Sequence, residues 1–227
     1  MALLGQAALA MWWDVSAHAR PALEHWHAHE HFAERLAIPG FLRASRWTEV
    51  ADGEGFFVMY ELRDHAVLAS APYVARLNAP SPWSTRMMPL HRNMVRTQCK
   101  VLQSHGAVTA RHALTIRCGL VNGDAQALQS GLGKLAASVS QQPGVVGMHL
   151  LRHEAPALAM TTEQQIRGNA DRAADCAILV CGYQLQALRR LAETELSKTA
   201  LLASGAAPET EYQFYALAYS ATPSDTR

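Results

Sequence analysis

The chain has 227 residues, of which 49% are hydrophobic and 17% charged, with a formal net charge of +1. That balance belongs to a folded globular protein and excludes a disordered chain or one that coats nucleic acid, since no basic patch stands out. The length allows one large domain or two smaller ones, each able to bury its own core.

The N-terminal MALLGQAALAMWWDV has no charge before Asp14. It lacks the basic start of a secretory leader and is too short to span a membrane, so its second half, about Ala7 to Val15, is predicted to be a buried strand. Pro21 then opens a helix through Ala37, PALEHWHAHEHFAERLA, which ends at Pro39-Gly40. FLRASRWTEV alternates as a strand, and GFFVMYEL from Gly55 to Leu62 returns as the second arm of a hairpin. A second helix is predicted from Asp64 to about Asn78. The proline-rich stretch Pro80 to Pro89 follows, carrying Trp83, Met87 and Met88, and then a fourth strand from about Asn93 to Gln103.

The second half repeats the order. A strand around Leu114 to Leu120, a helix from Ala125 to about Gln142 and the strand VVGMHLL lead to a polar insertion at about 156–173. A strand from Cys176 to Tyr183, a helix from Leu185 to about Ser204 and a final strand YQFYALAYSA close it. Pro143-Gly144 stands where Pro39-Gly40 stands in the first half. The fold class is therefore α+β: two ferredoxin-like βαββαβ units in tandem, 1–106 and 107–227. Each sheet has helices for one face only, so the two sheets are expected to bury their other faces against each other.

On a regular helical wheel Leu23, Trp26, Glu30, Ala33 and Ala37 share one arc, with His27 and Glu34 at its edge. A carboxylate on a core face must be paired, hydrogen-bonded or shifted in pKa, and His27 at i−3 is the nearest partner. The sister helix places Leu128, Leu132, Leu135 and Val139 at corresponding points, so the first half is the candidate active half and the second the structural one. Glu30 and His27 are the candidate acid–base pair, and Trp26, Arg43, Trp47, Tyr60 and Trp83 candidate substrate-binding residues. Which face of the 41–50 strand meets the helix is left open. The 80–89 stretch is a candidate lid. A purely structural Glu30 would make Glu30→Leu neutral or stabilising.

His27-Ala28-His29-Glu30-His31 also matches the H-x-x-E-H zinc-hydrolase pattern. No third ligand is evident, so no metal is expected. The cysteines Cys99, Cys118, Cys176 and Cys181 lack zinc spacing and read as reduced and buried, which implies a cytoplasmic protein.

The segment WHAHEHFAERLAIPGFLRASRW, Trp26 to Trp47, resembles the helix-to-strand segment of the dimeric α/β-barrel superfamily, especially its EthD-like members. The element order of the whole chain is similar too. This resemblance implies two ferredoxin-like sheets joined into a barrel, with a ligand cavity between a sheet and its helices. Members include cofactor-independent monooxygenases of polyketide quinones, muconolactone isomerases and haem enzymes. The chain departs by carrying two units, so the barrel is expected to close within one polypeptide, and a homodimer is compatible but not required. The expected function is proton transfer on a small molecule without a cofactor. A small-molecule binding protein without chemistry is the alternative, and an HxxEH metal hydrolase a lesser one. Neither nucleic acid nor membrane is an expected partner.

Overall fold

Strand β3 (Gly55–Leu62) is buried at every position, which requires cover on both faces. The computed structural model, which describes residues 2–51, 53–168 and 171–226, supplies that cover by closing the sheet on itself. With β1 (Ala7–Asp14), β2 (Phe41–Glu49), β4 (Arg92–Gly106), β5 (His112–Leu120), β6 (Val145–His153), β7 (Cys176–Gly182) and β8 (Ala206–Ala221), it forms a closed antiparallel barrel ordered β1-β3-β2-β8-β5-β7-β6-β4. Each half contributes the ferredoxin-like order, β4-β1-β3-β2 and β6-β7-β5-β8. Pairing of β2 with β8 and of β4 with β6 joins them and leaves no open edge.

Strand alternation then sorts side chains. Trp12, Trp47, Phe57, Met59 and Tyr215 fill the barrel interior. Trp13, Phe56, Val58 and Tyr60 face outward into a core shared with the helices of the first half. A matching core of Leu128, Leu132, Val139, Ile178 and Leu188 lies under the helices of the second. All four cysteines are buried and free. No helix is long and apolar enough to cross a membrane among the described residues.

Helix α1 (residues 20–36) is not regular. Two α-helical pieces, Arg20–Trp26 and Phe32–Leu36, are joined by a π turn at His27–His31, closed where the Phe32 N–H donates to the His27 carbonyl. A π turn takes one residue more than an α turn, so everything beyond it is rotated by about 100° relative to a regular wheel. The buried residues are accordingly Leu23, Trp26, His27, His31, Phe32, Arg35 and Leu36. Against α4 (Ala125–Val139), Leu23 and His27 match buried Leu128 and Leu132, whereas Phe32 and Arg35 match buried Ala136 and Val139. The register changes by one residue between His27 and Phe32, inside the helix rather than in a loop. Both helices end alike: Gly40 and Gly144 have φ of 99° and 91°, a left-handed conformation open to glycine, and a Cβ at either would meet Val67 or Ala187.

Three predicted helices are shorter or broken. The second becomes a 3₁₀ turn, His65–Ala69, followed by α2 (Ala71–Asn78), because Pro72 fits only a helix start. The proline-rich stretch is α3 (Pro82–Met87) and a 3₁₀ turn, Met88–Leu90. The insertion folds into α5 (Thr162–Ile166), started by a capping box of Thr161 and Gln164. The last predicted helix divides into α6 (Leu185–Glu193) and α7 (Lys198–Ala203), the latter capped by Ser197; α4 stops at Val139 rather than Gln142.

Candidate active site

A narrow cavity lies between α1 and the outer face of β1 and β3. Counted out to its open mouth it holds about 450 Å³ of empty space, but it is so narrow that it has room for only about three waters. Leu9, Met11, Trp13 and Tyr60 form its floor; Trp26, His27, His31 and Arg35 come from α1. Tyr73 and Leu77 of α2, Met88, His91, and Met94 and Arg96 of β4 close the sides. Glu163 and Arg167 reach in from the insertion. The second half therefore contributes to the cavity: Met94 and Arg96 exchange backbone hydrogen bonds with Arg172, which holds the end of the insertion on β4.

The π turn brings the imidazoles together. His27 and His31 stack with ring centroids 5.5 Å apart and an interplanar angle of 17°. Trp26 lies 4.2 Å from His31, and Trp13 meets His27 edge-on at 5.8 Å and His91 at 4.8 Å. Burial lowers the pKa of His27 and His31 well below the ordinary value, and nearby guanidinium charges add to it: Arg46 and Arg35 for His27, Arg35 first for His31. Half-buried His91, whose Nδ1 lies 2.8 Å from the Met88 carbonyl, is brought to about 4, again mainly by burial. All three rings are thus neutral near pH 7. Burial raises the Tyr60 pKa far enough that its phenol keeps its proton.

Arg35 Nη2 donates to both carboxylate oxygens of Glu163, at 2.5 and 2.7 Å, and both side chains are about 95% buried. Five buried polar atoms of cavity residues find no partner among the described residues: Trp13 Nε1, His27 Nδ1, His31 Nδ1, Arg35 Nη1 and the Tyr60 hydroxyl. Orphaned polar groups are costly when buried, so their gathering around one cavity marks a place for a ligand or for bound water.

Of the residues expected from sequence, His27, Trp26 and Tyr60 line this cavity. Glu30 does not, and the reading of it as the proton partner of His27 is corrected. The π turn swings it away from the wall, and its half-buried Oε1 accepts from Trp26 Nε1 at 3.1 Å, Ser81 Oγ at 2.5 Å and Ser84 Oγ at 3.4 Å. It ties α1 to α3 and its N-cap. Arg43 and Trp47 are corrected likewise. Strand alternation sends both into the barrel, where Arg43 Nε donates to Glu61 Oε1 at 2.6 Å and Trp47 stacks on Phe57 at 4.9 Å. The opposite face of β2 carries Arg46, which donates to the Glu24 carbonyl and lies over the Tyr219 ring. Trp83 is half-buried outside the cavity, 5.3 Å from the His25 ring. Within the candidate lid, Met88 lines the cavity.

Sequence reasoning missed His31 as a cavity residue, and also Trp13, Arg35, His91, Glu163 and Arg167. One signal was available: Phe32 falls about 120° from Trp26 on a regular wheel, off the arc centred on Glu30, yet both are large and apolar. Among the described residues no three His, Cys, Asp or Glu side chains are grouped to hold a metal ion, and Glu30, the base of the H-x-x-E-H pattern, accepts from Ser81 instead of facing the imidazoles.

Neither a protein-family model nor a curated protein matches the chain by sequence. Solved structures match its fold over nearly its whole length. An anthrone oxidase-like protein superposes with a TM-score of 0.65 at 12% identity, covering 100% of this chain and 98% of its own. A proposed monooxygenase from Lactobacillus acidophilus gives 0.60 at 10% identity, covering 96% and 97%. A ferredoxin-fold protein related to antibiotic biosynthesis monooxygenases, from Listeria monocytogenes, gives 0.50 at 8% identity, covering 96% and 97%.

Proposed function

Because the chain has the dimeric α/β-barrel fold, with its two ferredoxin-like units fused into one closed barrel, we propose that it is a cofactor-independent proton-transfer enzyme acting on a small planar molecule in the cavity under α1, whose walls move apart to admit it. The observation that carries this reading is the set of unpartnered polar atoms around that cavity, which divides into two chemical kinds. His27 and His31 are neutral imidazoles able to accept a proton. Tyr60, Arg35 and Trp13 present donors to an oxygen.

A substrate whose acidic C–H or O–H lies against His27, with its oxygen toward Tyr60 and Arg35, would lose that proton to the imidazole. The oxyanion or enolate left behind would be held by the donors. Burial makes His27 a weak base in the empty cavity. An anion formed in the same step offsets the cost of the imidazolium, because the two opposite charges appear together at close range. Return of the proton to another atom gives isomerisation; reaction of the carbanion with dissolved dioxygen gives oxygenation. Glu30 serves as a positioning residue, fixing the Trp26 ring and the 81–90 segment over the cavity. The likeness to an anthrone oxidase-like protein makes anthrone a sensible first probe.

The test is anaerobic deuterium uptake at the methylene carbon of anthrone, followed by NMR. The protein is expected to accelerate exchange over buffer, and His27→Ala to reduce the acceleration by about 10²- to 10⁴-fold. Binding of anthrone without accelerated exchange would favour a binding protein with no chemistry. Equal acceleration by wild type, His27→Ala and His31→Ala would remove the imidazoles from the mechanism.

A further inference from the structure

The insertion also walls a second chamber. Leu77, Arg96, Gln98, Pro156, Gln164 and Arg167 are among its lining residues, and it holds about 600 Å³ counted to its mouth. Leu77, Arg96 and Arg167 line both chambers and so form the partition between them. The two arginines differ in one respect. Arg167 is taken: its Nη2 donates to Asp171 at 2.7 Å, its Nε to the same carboxylate, and its Nη1 lies 3.9 Å from Glu163. Arg96 donates from Nη2 to the Tyr73 hydroxyl at 2.9 Å and has no carboxylate in ion-pair range among the described residues.

The charges around the partition sharpen this. Arg35 is matched by Glu163 and Arg167 by Asp171, while the nearby imidazoles are neutral. Among the residues lining the two chambers the positive surplus therefore resides on Arg96, a half-buried residue that lines both. A partly desolvated cation without a counter-ion attracts an anion more strongly than an exposed one does, and a guanidinium fits carboxylate or phosphate oxygens in pairs.

Resting on the reading of the inner cavity as the seat of proton transfer, we propose that the substrate is a planar aromatic molecule bearing an anionic group on a short arm. Its ring lies among Trp13, Trp26 and the imidazoles, and Arg96 binds its anionic group at the partition. The outer chamber is then the side from which such a molecule enters, its acidic end trailing.

Quenching of tryptophan fluorescence tests this, because Trp13 and Trp26 line the inner cavity. The probes are 2-naphthylacetate, 2-naphthyl phosphate and the uncharged 2-naphthylacetamide. At low salt at least one anionic probe is expected to bind about tenfold or more tightly than the amide, and the tighter of the two identifies carboxylate or phosphate as the preferred group. Arg96→Gln should bring that probe down to the affinity of the amide and leave the amide unchanged, and Arg96→Lys should restore part of the difference. Equal binding of the amide and both anions by the wild type would overturn the inference while leaving the cavity reading in place. So would an Arg96→Gln variant of unchanged melting temperature that weakens all three probes alike. Absence of quenching by every probe would overturn both.

Discussion

Arg35 and Glu163 join the first helix of the chain to the insertion of the second half through a bidentate contact, and both are almost fully buried. Removing one partner leaves the other charged and desolvated, which typically costs about 3–5 kcal/mol, whereas replacing both with apolar residues of similar volume is often neutral or stabilising. The geometry makes the single losses unequal. Arg35→Met leaves Glu163 with Arg167 3.9 Å away; Glu163→Leu leaves Arg35 without a carboxylate in ion-pair range among the described residues. Glu163→Leu is therefore expected at the upper end of that range and Arg35→Met at the lower. For a chain of this size about 4 kcal/mol corresponds to a fall in Tm of roughly 8–16 °C. The double variant should recover to within about 1–2 kcal/mol of wild type, so that the two single costs, about 8 kcal/mol together, couple by about 6 kcal/mol. Urea unfolding of the four proteins, with a common m-value, measures the cycle. Single variants each within about 0.5 kcal/mol of wild type, with additive effects in the double, would refute the reasoning by showing that the pair is open to water.

Acid should destabilise the fold before carboxylates are protonated. His27, His31, His91 and His149 all have folded pKa values below the unfolded 6.5, with burial the largest cause in each case. Stability is then complete above about pH 6.5 and declines as pH falls toward the folded values, with proton uptake on unfolding. His149, fully buried and held near 4, accounts by itself for about 3 kcal/mol of this between pH 6.5 and 4. A urea midpoint that stays flat over that window would contradict it. Glu30→Leu should cost about 1–3 kcal/mol, because Trp26 Nε1 and the Ser81 and Ser84 hydroxyls lose their acceptor; the sequence-based expectation of a neutral or stabilising change is replaced. The same variant should speed proteolysis within residues 79–90, and an unchanged melt and cleavage pattern would show that Glu30 does not hold that segment.

The sequence by itself determined the element order, because period-two runs such as GFFVMYEL and the paired Pro39-Gly40 and Pro143-Gly144 stops report local backbone preference. It also determined that the sheets bury both faces, and placed Trp26, His27 and Tyr60 in the region between helix and sheet that became the cavity. Tertiary structure decided the rest. Assigning Glu30 to the core face assumed 100° per residue through HAHEH; packing of Trp26 and Phe32 into the same core is satisfied by a π turn, which moves that face onto His31 and Arg35. Strand alternation told that Arg43 and Trp47 share a face with each other and not with Arg46, yet only barrel closure determined which face is inside. Glu163 and Arg167 were legible only as part of a polar insertion. Their place beside Arg35 depends on β4 pairing with β6 and with Arg172, contacts between distant parts of the chain that local periodicity does not encode.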